Sequence, residues 1–176
     1  MNHSFNFFTP TQLIFGSGRL EELKEVAPKY GSKCLLVCRP LEGSLKLTYQ
    51  RVENLLNSVN VEVVFFDEII PNPTIEGIEK GVITAVKNQV DFVLGVGGGS
   101  VMDSAKLIAL LHNPEGVINW GEALISYDHP FNYVASKQHT LAFIAVSTTS
   151  GTGSQCTQAA VISDNQKKEK ITLFHL

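Results

Sequence analysis

The stretch Asp91-Phe92-Val93-Leu94-Gly95-Val96-Gly97-Gly98-Gly99-Ser100-Val101-Met102-Asp103-Ser104-Ala105-Lys106 compresses a buried strand, a glycine turn and a helix start into one line. Three consecutive glycines remove every Cβ from the turn, so a ligand oxygen can approach the main chain. A helix from about Ser100 then adds its positive dipole end. This is the order in which a chain presents bare N–H groups to a phosphate, and a nucleotide pyrophosphate is the natural guest. The alternative is a tight turn whose glycines serve packing alone.

Near-continuous apolar runs, bounded by turn residues, recur at 34–38, 61–66, 92–96 and 141–146. Unbroken hydrophobicity marks strands buried on both faces, as in a parallel sheet covered by helices. Between the first two runs, Leu45, Val52, Leu55, Leu56 and Val59 predict a helix over about 44–58. Pro73-Thr74 opens a second helix carrying Ile75, Ile78, Val82, Ile83 and Val86. Ala105, Ile108, Ala109 and Leu111 supply a third, which stops before Asn113-Pro114.

Strand and helix in alternation imply an α/β fold, a Rossmann-like doubly wound parallel sheet. Right-handed crossovers then gather Arg39, Asp67, the glycine turn and Ser147 along one edge, where such sheets bind ligands. From 113 to 140 the pattern weakens into irregular chain, with Trp120-Gly121 and Asp128-His129-Pro130 as breaks. Phe5-Asn6-Phe7-Phe8 and Gln12-Leu13-Ile14-Phe15 read as extended chain ending at Gly16-Ser17-Gly18, an edge strand or a dimer arm.

The 176 residues suit one compact domain, and 44% hydrophobic with 18% charged content describes a globular protein. A net charge of −3, with no basic run beyond Lys167-Lys168-Glu169-Lys170, argues against nucleic acid as a partner. No apolar stretch has membrane-spanning length and the N-terminus has no basic-then-apolar leader, so the expectation is a cytoplasmic protein. Cys34 and Cys38, four apart on a strand, lie about 13 Å from each other, too far for a disulfide. They are expected to be buried and reduced.

The fourth apolar run leads into Ser147-Thr148-Thr149-Ser150-Gly151-Thr152-Gly153-Ser154, dense in hydroxyls and glycine and expected at the same sheet edge. A helix N-cap plus a loop would also explain this composition. Two donor-rich loops converging on one crevice favour a bound dinucleotide.

These residues resemble the iron-dependent, group III alcohol dehydrogenases. The resemblance rests on Gly97-Gly98-Gly99-Ser100-x-x-Asp103-x-Ala105-Lys106, Pro71-Asn72-Pro73-Thr74, Phe15-Gly16-Ser17-Gly18 and Thr148-Thr149-Ser150-Gly151-Thr152-Gly153-Ser154, which span nearly the whole chain. It implies an N-terminal nucleotide-binding domain, a C-terminal helical domain, and hydride transfer between an alcohol or aldehyde and NAD or NADP. It also suggests a homodimer.

Carried over by position, the resemblance puts Gly97, Gly98, Gly99 and Ser100 at the pyrophosphate and Asp103 near the nicotinamide ribose. Thr148 and Thr149 line the adenine side, Asn72 closes over the adenosine, and Lys170 reaches a cofactor ribose. Asn72 as a plain turn residue and Lys170 as a solvated charge remain open alternatives.

Three departures stand out. Arg39 occupies the end of the first strand, where the family often carries an acid; a guanidinium there would pair with a 2′-phosphate, which favours NADP over NAD. Gln155 replaces a usual glutamate. The chain stops at Leu176, before the family's helical domain and its aspartate and three histidines that bind iron or zinc. His3, His112, His129, His139 and His175 match no ligand motif, so no metal ligand and no catalytic residue is assigned here. Turnover by this polypeptide alone is not expected; it reads as the cofactor-binding half of a longer enzyme, or as a nucleotide-binding module without chemistry. A related zinc enzyme of the glycerol dehydrogenase type is a third reading.

Overall fold

In the computed structural model, residues 10–129 and 140–174 are described. Strand β1 (Lys33–Val37) leads through helix α2 (Lys46–Asn57) to β2 (Glu62–Phe66), and α3 (Ile75–Asn88) leads to β3 (Phe92–Gly97). Helix α4 (Gly99–Leu111) and a short α5 (Trp120–Ser126) precede β4 (Ala142–Ser147). A one-turn α1 (Leu23–Val26), flanked by 3₁₀ turns, comes before β1.

The four strands form one parallel sheet in the order β2-β1-β3-β4. The continuous apolar runs have the burial that two covered faces require: every residue of β3 is buried. Alternate residues serve opposite layers. Leu35, Val37 and Val93 join α3 and α4 through Ile78, Val82, Met102 and Ile108. Cys34, Leu36, Phe92 and Leu94 join α1 and α2 through Leu23, Tyr49, Val52 and Leu56. This is the doubly wound arrangement expected from the sequence.

Helix starts follow local chemistry. Thr74 caps α3 by accepting from Gly77 N at 3.2 Å, and Asn119 caps α5 by accepting from Glu122 N at 3.2 Å. Helix α5 corrects the expectation of irregular chain after 113; the Asn119 cap and the Trp120 Nε1 hydrogen bond to Glu79 Oε1, at 2.8 Å, fasten this short segment to α3.

A second unexpected element is an antiparallel hairpin, β5 (Ala159–Asp164) with β6 (Glu169–Phe174). Asp164 Oδ1 accepts from the backbone N–H of Gln166 and Lys167 at 2.9 and 3.0 Å, which closes the turn. Residues 12–15 form no strand, correcting that part of the expected edge, while Phe5 to Phe8 fall outside the described residues. Among the described residues no helix is long and apolar enough to cross a membrane. Cys34 and Cys38 are free and buried, as expected. Burial pushes both thiols up to about 12, with Asp67 adding to the effect at Cys38.

Candidate functional site

All four parallel strands end on one edge, at Val37, Phe66, Gly97 and Ser147. The chain leaves β1 toward β2 on one side and returns past it to β3, so the topological switch point lies between β1 and β3. Open α/β sheets bind ligands in the crevice at that point. Because Val37 pairs with Gly95, the chain after β1 reaches Arg39 alongside the start of the glycine turn.

The glycine turn opens α4 with Gly98 as its N-cap, and no side chain caps it. In this it differs from α3 and α5, and the first-turn N–H groups of α4 are left for an outside acceptor. The second donor loop sits directly against the turn: Thr148 N donates to Gly97 O at 2.9 Å. A Cβ on Gly98 would come within 2.9 Å of Thr149 Oγ1, and one on Gly99 within 3.0 Å of Thr152 Cγ2. The glycines therefore have a packing reason as well as any ligand reason. Their missing side chains let two threonines settle over the turn, and that sets the two loops edge to edge.

Asn72 and Lys170 also meet. Asn72 holds a left-handed φ of 57° in the turn after β2, and Lys170 Nζ, on β6, donates to its Oδ1 at 3.3 Å. Ser163 N donates to Pro73 O at 2.8 Å beside this pair, so the hairpin is stitched to the start of α3. Two residues singled out separately in the sequence thus share one contact. Arg39 is exposed at the end of β1.

Asp103 is tied to the end of the second donor loop and to the chain that follows it. Its Oδ1 accepts from Ser154 Oγ at 2.5 Å and its Oδ2 from Val161 N at 3.1 Å. One turn further along α4, Lys106 Nζ lies 3.6 Å from Asp103 Oδ1. It donates to Ser154 O at 2.8 Å, to Thr157 O at 3.1 Å and to Ala159 O. Burial pulls the Lys106 ammonium below the usual lysine range, against the opposing pull of Asp103. Each oxygen of Asp103 thus accepts one hydrogen bond from within the fold. The sequence reading passed over Lys106 and Ser154 as functional residues, although the i, i+3 spacing of Asp103 and Lys106 placed an ion pair on one face of α4.

Gln155 lines a cavity of about 540 Å³ with Lys106, Leu110, Phe143 and Gln158. The Oε1 atoms of Gln155 and Gln158 are buried there without a hydrogen-bond partner. Among the described residues no three His, Cys, Asp or Glu side chains gather as a metal site. His3, His139 and His175 lie outside those residues.

A switch-point crevice rimmed by a glycine-opened helix start and a hydroxyl-rich loop, at the edge of a parallel sheet covered on both faces, marks a Rossmann-like doubly wound α/β domain. The chain matches the family model described as iron-containing alcohol dehydrogenase over residues 10–176, and it belongs to that family. It is 33% identical to NADH-dependent butanol dehydrogenase A of Clostridium acetobutylicum over 98% of this chain and 42% of that protein. It is 32% identical to alcohol dehydrogenase 4 of Saccharomyces cerevisiae over 99% of this chain and 43% of that protein.

Among solved structures, it superposes on an archaeal Red Sea brine pool alcohol dehydrogenase with a TM-score of 0.85 and 33% identity, covering 99% of this chain and 44% of that one. The match to NADH-dependent butanol dehydrogenase A of Thermotoga maritima has a TM-score of 0.80 and 32% identity, covering 98% and 41%. The chain thus spans about two fifths of these relatives. Relatives named NADH-dependent do not support the preference for NADP inferred from Arg39. An exposed arginine at a strand end is equally a solvated side chain, and it carries no 2′-phosphate argument by itself.

Proposed function

We propose that residues 1–176 form the cofactor-binding domain of an alcohol dehydrogenase that exchanges hydride between a small alcohol and its aldehyde or ketone, with NADH as the cofactor. The observation that carries this reading is the junction of the two donor loops at the sheet's switch point, where Thr148 N meets Gly97 O at 2.9 Å. The names of the NADH-dependent relatives support the cofactor choice. The free, buried thiols of Cys34 and Cys38 support a reducing, cytoplasmic setting.

In this reading the N–H groups of the turn formed by Gly97, Gly98, Gly99 and Ser100 hold the pyrophosphate, helped by the α4 dipole. Thr148 and Thr149 offer hydroxyls to the adenosine side. Lys170, steadied by Asn72, reaches a ribose. Bound nicotinamide supplies the hydride chemistry, and this domain's part is to fix the cofactor and keep its pyrophosphate on the crevice floor.

Titration of the 176-residue chain with NADH and NADPH, followed by nicotinamide fluorescence, tests the proposal. NADH is expected to bind more tightly. Gly98→Ala forces a methyl against Thr149 Oγ1 and should weaken NADH about tenfold. Absence of binding by either nucleotide overturns the reading. In the full-length enzyme, NADH binding without reduction of any short aldehyde identifies a nucleotide-binding module instead.

A further inference from the structure

Lys106 is a mostly covered charge that the cofactor reading leaves without a role. Its side chain is 14% exposed and that of its partner Asp103 is 16% exposed. Taking such a pair largely out of water is costly, and an ion pair of this kind is better evidence for register than for stability. The register in question is visible in the acceptors. Ser154 O is the last carbonyl of the second donor loop, Thr157 O lies in the link that follows, and Ala159 O opens β5. An ammonium has three donors, and here each finds a carbonyl.

Asp103 reads the opposite polarity of the same segment, through Ser154 Oγ and Val161 N. Helix α4 therefore touches the donor loop at two levels. Its second turn, from Asp103 to Lys106, grips the loop's exit by both signs of charge. Its first turn is the glycine turn on which Thr149 and Thr152 rest. A rigid helix between the two contacts fixes how high the threonine hydroxyls stand over the turn.

We infer that Lys106 is a positioning residue for the cofactor: by holding the carbonyls of Ser154, Thr157 and Ala159 it sets the second donor loop at the height the pyrophosphate turn requires. The inference rests on the nucleotide reading above. Lys106 touches no cofactor itself; it acts through the backbone of the loop.

The test uses Lys106→Met, which keeps the length of the side chain and removes the donors, with Lys106→Arg as the variant that keeps a cation. Two readouts are taken on the 176-residue chain: amide exchange across residues 148–161 and affinity for NADH. In the methionine variant, exchange in that segment should rise about tenfold while amides in β1 and β3 keep their protection. NADH should bind about tenfold more weakly, and arginine should recover at least part of both losses.

Should the methionine chain fail to fold, Lys106→Gln removes the charge and leaves a single amide donor group. It should weaken NADH about threefold. Unchanged NADH affinity in the methionine variant, or in Lys106→Gln if that is the folded one, overturns the inference even where loop exchange has risen. A wild-type chain that binds neither nucleotide overturns the cofactor reading and this inference with it.

Discussion

The parallel sheet and the β5–β6 hairpin are both built of short strands, yet different forces hold them. In the sheet, Cys34, Leu35, Leu36 and Val37 of β1 are fully buried, and neighbours on both faces are almost wholly apolar. In the hairpin, burial alternates along β5, with Ala160 and Ile162 inward. Its placement depends on directed polar contacts: Val161 N to Asp103, Ala159 O to Lys106, and Ser163 N to Pro73 O. Apolar burial is tolerant of small shifts, whereas hydrogen bonds fix distance and direction. The sheet is thus held by burial and the hairpin by the direction of a few polar contacts.

The largest expected effect separates the sheet through its thiols. Cys34 and Cys38 are raised from 9.0 to about 12, so the native state keeps protons that the unfolded chain releases. Stability from this source is complete below pH 9 and is lost as pH climbs toward 12. Urea midpoints should fall steadily over that range, and the Cys34→Ala, Cys38→Ala double variant should flatten the decline. An equal slope in the double variant would show that the two thiols are not the cause.

Next comes Leu35→Ala, fully buried on the central strand pair, which should cost about 2–5 kcal/mol in urea unfolding and loosen both regions together. Asp103→Ala should cost about 1.5–3 kcal/mol and act unevenly. Amides of the hairpin should exchange faster while β3 stays protected; uniform loosening would erase the contrast drawn here. Smallest is Lys170→Met, whose exposed bond to Asn72 at 3.3 Å should be worth under about 0.5 kcal/mol to thermal stability. NADH affinity should nonetheless drop several-fold, and an unchanged affinity would make Lys170 a solvated charge after all.

The sheet was legible in the sequence to within a residue or so per strand, because continuous apolar runs carry the signature of two covered faces. Helix α3 was equally clear, since Pro73-Thr74 announces its start and Thr74 caps it. The hairpin was not read. Its inward alanine and isoleucine make a weak alternation, and the neighbouring serine and threonine run drew the eye to ligand chemistry. In retrospect Asp164-Asn165-Gln166-Lys167, between two β-rich runs, was the available signal.

For the site, the positions of the glycine turn and the Thr148-Thr149 pair were read from the chain. The commitment of Asp103 was hidden, because Ser154 and Val161 lie 51 and 58 positions away and only the folded backbone brings them to it. Arg39 misled for a related reason: a residue at a strand end advertises a charge without revealing what it meets.

The stitch between Asn72 and Lys170 joins groups 98 positions apart, and Ser163 with Pro73 repeats the span. Closing so long a loop is entropically expensive until other contacts have already brought its ends near. The hairpin therefore has nothing to fasten onto before α3 and α4 are seated, and it enters the folding sequence last. Pulse labelling of amides during refolding would record this as late protection of residues 159–174, after β1 and β3 are already closed to exchange.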